Sequence, residues 1–365
     1  MMYLESVRVY NNDLVAVDAV TGWSSVVWTE RYQDFGEFEI RIPDAKADIQ
    51  SYKDRFFDNI LQIPYSNESM IVEEITYEGG RTTPAVYLRG RDAKSLLQRR
   101  VLAATQVIPM GPSTREIVLQ AFNDEVANPS EKGREMKYLA LDDPSSWSVH
   151  HLDYDPDGKS LWDLFLYCAQ TYYCGLRSYM QGRKIRYQWW KPRDRTGANR
   201  TYPVLFSEDL GSLSNIVYRR QSRTYRTSAY VHIQVGENQS SLSRYATDVS
   251  NRFGQGMNRR EMWVSPGWNY TPKNANGLAG VLAPYGRTAL HQHSLADEIS
   301  GEVLRHDMYE YGFDKDFFLG DLVAVEVAGK RSRARVKEYT HSWTIDQGYR
   351  AYPILDASPI MENYF

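Results

Sequence analysis

The sequence predicts a mainly β protein with α+β insertions, in which two similar β-barrel domains carry inserted mixed α/β domains. Three observations lead to this class. Short alternating or β-branched runs recur near both ends of the chain, helix-cap and helical-period patterns occupy its middle, and the two ends repeat one another in order and spacing. A chain of 365 residues is also too long for one ordinary domain.

Residues 1–98 read as the first barrel. Ser6-Val-Arg-Val-Tyr10, Leu14-Val-Ala-Val17, Ser24-Ser-Val-Val-Trp28, Glu37-Phe-Glu-Ile-Arg-Ile42 and Ala85-Val-Tyr-Leu-Arg89 alternate or run β-branched, with Asn-Asn-Asp, Thr-Gly and Gly-Gly turns between them. Asp92 then opens a short helix that runs to Arg100. Residues 99–205 read as an α/β domain. Ser113-Thr-Arg-Glu116 is a capping box ahead of Ile117, Val118 and Phe122, and Leu161, Leu164, Phe165 and Cys168 fall at helical spacing after Ser160. Arg183–Trp190 returns to a strand, and the polar run Lys191–Arg200 marks a loop or boundary.

Ser214–Tyr218 and Thr227–Val235 read as strands, so residues 206–235 and 312–365 together make the second barrel. Residues 236–311 are an insertion within it. Irregular Gly-, Asn- and Ser-rich loops lead there to a helix over Leu295–Tyr309, from the spacing of Leu295, Ile299, Val303 and Met308.

The repeat joins Phe56-Phe57, Ile60-Leu61, Val72-Glu-Glu-Ile-Thr76, Ala85-Val-Tyr-Leu88 and Asp92 to a later series. That series is Phe317-Phe318, Asp321-Leu-Val323, Val336-Lys-Glu-Tyr-Thr340, Tyr349-Arg-Ala-Tyr352 and Asp356. Chance likeness between two β segments competes with duplication. The phase match of the two V-x-E-x-T strands favours duplication, with Phe56/Phe57 and Phe317/Phe318 at equivalent places.

Composition excludes several function classes. Hydrophobic residues at 42% and charged residues at 24% are the balance of a folded chain, and a net charge of −3 excludes a generally basic nucleic-acid binder while allowing a local basic patch. The 27 Tyr among 13% aromatic residues suit strands and interfaces. Cys168 and Cys174 are too few for a disulfide framework or a four-cysteine zinc site. The N-terminus alternates like a strand without a signal-peptide apolar core, and no apolar run reaches the roughly 18–20 residues of a membrane span. The expectation is a chain made in the cytoplasm, with no stable membrane insertion.

Few patterns promise chemistry. Asp153-Tyr-Asp-Pro-Asp-Gly158 fits the first half of a calcium loop, but Leu164 stands where the bidentate Glu belongs and Asp163 comes one place early. A Pro-Asp-Gly turn into the helix near Ser160 accounts for the same residues. His291-Gln-His293 is the one histidine pair with a ligand look, but its spacing suits a strand while the residues that follow read helical, and no carboxylate flanks it at ligand spacing, so no metal or other cofactor is expected. No G-x-S-x-G, P-loop or G-x-G-x-x-G is present, and no catalytic residue is assigned. The informative charges are basic. Arg331, Arg333, Arg335 and Lys337 fall on one face of a strand, and Arg219, Arg220, Arg223 and Arg226 cluster. They read either as a solvated outer face or as a contact surface for a partner subunit or passing DNA. Arg331, Arg333, Arg335, Lys337, Arg219 and Arg223 are therefore the interface or channel candidates.

Several segments carry a family resemblance. Trp28-Thr-Glu-Arg-Tyr-Gln-Asp-Phe-Gly-Glu-Phe-Glu-Ile-Arg-Ile-Pro43, Met70–Tyr77, Arg89-Gly-Arg-Asp92 and Phe318-Leu-Gly-Asp-Leu-Val323 with Val336-Lys-Glu-Tyr339 and Tyr349 resemble the tail hub proteins of long-tailed bacteriophages. These are related in fold to the central hub of contractile-tail baseplates. The likeness spans most of the chain, matches poorly over 236–290, and rests on structural rather than catalytic motifs. It implies a hub-like homotrimer at the virion tail tip, assembled in the host cytoplasm. Such a hub adapts the six-fold tail tube to the three-fold tip and forms part of the DNA channel. The implied partners are the distal tail protein ring, the tape-measure protein and a tip fibre or receptor-binding protein, with transient passage of genomic DNA. A β-rich carbohydrate-binding adhesin, supported by Trp189-Trp190, Trp263, Trp268 and Tyr270, and a hydrolase with an unrecognised site are the rivals.

Overall fold

The computed structural model describes residues 3–44, 46–79, 83–103, 113–147, 154, 158–197, 203–234, 240–246, 255–265, 277–303 and 311–357. In the first half, β1 (Val7–Tyr10) and β4 (Glu37–Pro43) turn their apolar residues inward by the two-residue period their sequences carry, while β2 (Ala16–Val20) buries Val20 alone and β3 (Ser25–Arg31) buries Val26 and Trp28–Glu30. Helix α1 (Ile49–Phe56) is capped by the Asp48 carboxylate and buries Phe56 alone. Strands β5 (Ile60–Gln62), β6 (Met70–Glu78) and β7 (Ala85–Asp92) follow. Asp92 caps the 3-10 helix Ala93–Arg99.

Both middle helices start where the sequence places them. Ser113 and Glu116 exchange capping hydrogen bonds at α2 (Thr114–Phe122), and after β8 (Leu139–Leu141) Ser160 and Asp163 do the same at α3 (Leu161–Thr171). Strands β9 (Gly175–Gln181) and β10 (Lys184–Trp190) join β8 in a three-stranded sheet of order β8-β10-β9. Phe122, Trp162, Phe165 and Tyr187 fill the core between these helices and that sheet.

The second half departs from the expected division. After β11 (Leu205–Ser207) and β12 (Ser214–Gln221), β13 (Ser228–Gln234) leaves the main sheet to pair with β14 (Ser240–Ala246) and β15 (Glu261–Val264). The helix of this region is α4 (Gly277–Gln292), and the helix expected over Leu295–Tyr309 is instead strand β16 (Ala296–Glu302), with 304–310 outside the described residues. The inward positions of β16 are Asp297, Ile299 and Gly301, so its two-residue period is invisible in hydrophobicity. Strands β17 (Leu322–Val327), β18 (Lys330–Thr344) and β19 (Gly348–Asp356) complete the chain.

Two closed barrels are not what these strands make. They hydrogen-bond into one 13-stranded sheet of order β12-β16-β19-β18-β3-β4-β7-β6-β5-β1-β2, with β17 on β18 and β11 on β17. The cause is β18, whose 15 residues pair first with β17 and then, on the same edge, with β3 of the first half. Each half keeps its own core, around Trp28, Phe38 and Met70 in the first and Phe206, Phe317 and Tyr339 in the second.

The repeat is visible in the pairing. Reading outward, β3-β4-β7-β6-β5-β1 corresponds to β12-β16-β19-β18-β17-β11. Val72–Thr76 and Val336–Thr340 occupy equivalent positions, and each strand bulges at the residue after its Val, Glu73 in β6 and Lys337 in β18. The Asp58 and Gly320 amides donate to the Val72 and Val336 carbonyls, and both residues are left-handed, at φ 58° and 82°. One pairing is corrected. Phe56 corresponds to Phe318, since Asn59 and Asp321 donate to their respective carbonyls, so Phe317 lies one place off. The strand β11 also runs parallel to β17, whereas β1 runs antiparallel to β5.

The bulges differ in what faces them. Gly90 stands opposite Val72 and Leu355 opposite Val336. A Cβ on Gly90 would lie 1.8 Å from the Ile71 carbonyl oxygen. Gly90→Ala is expected to cost about 1–3 kcal/mol of stability, read from the urea midpoint, and an unchanged midpoint would contradict the close approach.

Candidate subunit interface

The seam between the halves is built from β3 and β18. Thr29 and Thr340 meet hydroxyl to hydroxyl at 3.0 Å, and Arg31 bridges Glu338 of β18 at 2.6 Å and Glu37 of β4 at 2.5 Å. Past the bulge, β18 turns Tyr339, His341 and Trp343 inward. Phe313 stacks on Tyr339 with centroids 4.1 Å apart, and Trp343 enters the first-half core.

Behind this seam lies a buried polar cluster. Lys94 Nζ is 3.0 Å from the Asp92 carboxylate and 3.6 Å from Glu68, and it donates to the Arg31 carbonyl at 3.1 Å. Burial works against the Lys94 charge, but these carboxylates outweigh it and hold the ammonium above its usual range. Burial raises Glu68, with Asp92 and Glu30 adding to the effect, and burial likewise raises Asp92 against the pull of Lys94 and the Gly36 amide. Glu30 is pushed up to about 8 by burial and then by Asp314, and burial holds His341 down at about 3. The two are 3.8 Å apart and meet as neutral groups. A cleft of about 570 Å³ opens onto the cluster, lined by Glu30, Glu68, Arg177, Trp190, Asp314 and Asp321. Beneath it Asp321 accepts from buried Arg195 at 2.9 Å and from the Arg193 amide at 2.7 Å. Among the described residues no group of His, Cys, Asp and Glu has metal-holding geometry.

The family described as siphovirus ReqiPepy6 Gp37-like protein matches residues 6–354. The chain belongs to this family. Its fold resembles that of the 43 kDa tail protein of prophage MuSo2 from Shewanella oneidensis, at 13% identity and TM-score 0.62 over 96% of this chain and 98% of the other. It also resembles the tail protein from Neisseria meningitidis MC58, at 11% identity and TM-score 0.56 over 97% of each chain. No curated protein sequence matches. The siphovirus tail-protein family is therefore the one that the resemblance in sequence pointed to.

The basic candidates separate. Arg331 and Arg333 are exposed on β18, and Arg333 reaches Asp194 at 3.0 Å. Arg335 is half-buried, donating to the Gly320 carbonyl at 2.6 Å with its guanidinium over the Tyr32 ring, so it belongs to the packing. Lys337 is the bulge residue and pairs with Glu298 at 3.1 Å. On the sheet's end strand, exposed Arg219 bonds Gln221 while Arg220 grips Asp297 with two bonds, and Arg223 is exposed just beyond. The structure thus brings Arg331, Arg333, Arg335 and Lys337 onto one strand and leaves Arg219 and Arg223 elsewhere. The buried Glu30–Glu68–Asp92–Lys94 cluster escaped sequence reading, for its members are scattered over two strands, a 3-10 helix and the loop before β6.

Asp153, Asp155, Asp157, Trp268 and Tyr270 lie outside the described residues. Asp163 is committed to the α3 cap. Trp189 and Trp190 are half-buried against Phe165 and Tyr32, while Trp263 is 59% exposed and stacks on His232.

Glu30 gives the fold a pH dependence of definite sign. Its carboxyl keeps a proton in the fold that the unfolded chain releases above about 4.5, so its effect is to lower stability as pH rises toward 8. His341 acts oppositely, weakening the fold as pH falls from about 6.5 toward 3. Between pH 6.5 and 8 only the Glu30 effect of the two remains. Glu30→Gln should raise the melting temperature at pH 8 relative to pH 6.5 compared with the parent, and an unaltered pH slope would show that Glu30 is ionised in the fold.

Proposed function

We propose that this protein is the structural tail hub at the distal end of a siphovirus tail. Three copies close into a ring that adapts a six-fold tube to a three-fold tip and lines part of the DNA channel. One observation carries the reading: two halves with the same strand order, the same bulge and the same left-handed turn lie in one continuous sheet. Three such chains present six equivalent halves, while the α/β module and the β13–β15 sheet, which do not repeat, remain three-fold. The distal tail protein ring and the tape-measure protein are the partners on the tube side, and a tip fibre or receptor-binding protein on the other. The role is assembly and passage of DNA, without catalysis. For the adhesin reading, the exposed ring among the described aromatic candidates is Trp263.

Light scattering or native mass spectrometry of the purified protein, or of hub released from tails, should give three times the 42.2 kDa chain mass. A stable monomer both in solution and in released tails would refute the ring. Within the ring Arg331 and Arg333 face the channel or a partner. R331E/R333E should change folding stability by no more than about 1 kcal/mol, yet depress infectivity or DNA ejection at least tenfold. Fully infectious particles would make these two arginines ordinary solvated surface.

A further inference from the structure

The cleft behind the β3–β18 seam has an acidic floor and a basic rim. Glu30 reaches it from β3, Glu68 from the loop before β6 and Asp314 from the loop before β17, with Asp92 beside them. These carboxyl groups gather about the ammonium of Lys94, whereas Asp321 is matched by buried Arg195. At the rim the Arg177 guanidinium donates twice to Gln188 and lies 5.8 Å from the centroid of the Trp190 ring. Burial holds the Asp314 carboxyl above its usual range against the pull of Arg177. Lys191 and Arg193 line the same rim and are exposed.

The floor has hydrogen-bonding capacity left over. Glu30, Glu68 and Ser178 all line the cleft and are 3%, 3% and 0% exposed. Glu30 Oε1, Glu68 Oε2 and the Ser178 hydroxyl nevertheless have no hydrogen-bond partner among the described residues. Lys94 Nζ is 3.6 Å from that Glu68 oxygen and His341 Nε2 is 3.8 Å from that Glu30 oxygen, both too far to bond. Buried polar atoms of this kind call for a donor. The walls are aromatic, from half-buried Trp190, Phe313 and Phe318, and ring faces favour a cation. A volume of about 570 Å³ suits an organic group rather than a bare ion, in keeping with the lack of metal-holding geometry among the described residues.

We infer that this cleft binds a guanidinium or alkylammonium group, which passes the aromatic walls to lie against Glu30, Glu68 and Asp314 and carries an anionic group that meets Lys191 and Arg193. The chemistry is that of a basic amino acid, either free or as a side chain next to an acidic residue in a segment of a partner protein. A guanidinium suits the floor best, because its fan of donors can serve two carboxyl groups and a hydroxyl at once. The site does not depend on how many copies of the chain assemble. Binding is linked to protons. Burial keeps Glu30 and Glu68 protonated at neutral pH, and a cation between them favours their ionised forms, so binding releases protons and tightens as pH rises toward 8. The groups facing Glu30 are Asp314 and Asp92, which raise it, Ser66 and Lys94, which lower it, and neutral His341.

The test is isothermal titration of the full chain with Nα-acetylarginine, with Nα-acetylcitrulline as its uncharged isostere. Acetylarginine should bind about tenfold more tightly than acetylcitrulline, and about threefold more tightly at pH 8 than at pH 6.5. Glu30→Gln and Asp314→Asn, each shown to be folded by its melting curve, should weaken acetylarginine about tenfold. Two variants are used so that one that fails to fold leaves the other to decide. A capped Glu-Arg-Glu tripeptide separates the sources. Tighter binding than acetylarginine supports a partner's side chain, and weaker binding supports a free amino acid. Heats absent for both arginine probes up to about 10 mM would overturn the site. Equal affinity for acetylcitrulline would overturn recognition of a cation, and an affinity that ignores pH would overturn the part given to the buried carboxyl groups. A folded variant that binds acetylarginine as tightly as the parent would place the ligand outside this cleft.

Discussion

One strand holds the molecule together. β18 must satisfy hydrogen-bonding groups along 15 residues on both of its edges, and no element of its own half is long enough to do so. β19 covers one edge, while β17 and then β3 share the other. The bulge at Lys337 lets a single strand serve two cores. Before it Ala334 and Val336 face inward, and after it Tyr339, His341 and Trp343 do, so the extra residue resets the pleat where the strand passes from one half to the other.

The α/β module is fastened to this frame by buried and half-buried hydrogen bonds from aromatic side chains. The Tyr187 hydroxyl donates to the Ala93 carbonyl at 2.8 Å, the Tyr32 hydroxyl to Tyr173 at 3.2 Å, and the Trp190 indole to Leu319 at 3.2 Å. Each ring supplies apolar area to a core while its polar tip closes a backbone acceptor of another element. The abundance of Tyr and Trp in the composition is partly explained by these joints. Gly320 takes part in the same joint, since a Cβ there would lie 2.2 Å from the Tyr32 ring.

What could be read from the sequence was local. Ser113/Glu116 and Ser160 with its helical spacing fixed two helix starts because a cap needs only neighbouring residues, and the V-x-E-x-T strands kept phase because each repeats the same bulge. Helix α1 gave no periodic stripe, having one buried residue, and β16 hid its alternation behind an inward Asp and Gly. Closure into barrels failed for a different reason. Whether a strand pairs within its own half or across to the other depends on strand length and a bulge, and neither is written in hydrophobic periodicity. The basic stripe was legible as a stripe, but the loss of Arg335 to packing depends on Tyr32 and Gly320, both distant in sequence from parts of that strand.

The Thr29–Thr340 contact spans 311 positions of the chain. During synthesis β3 therefore leaves the ribosome long before the strand that covers it exists. For most of the time a ribosome needs to make the protein, the N-terminal half carries a bare edge and an unsealed core beside Trp28, which is the kind of surface on which nascent chains aggregate or recruit chaperones. Folding of this half cannot finish until β18 is made. A chain released before β18 is made would present that edge to any neighbour.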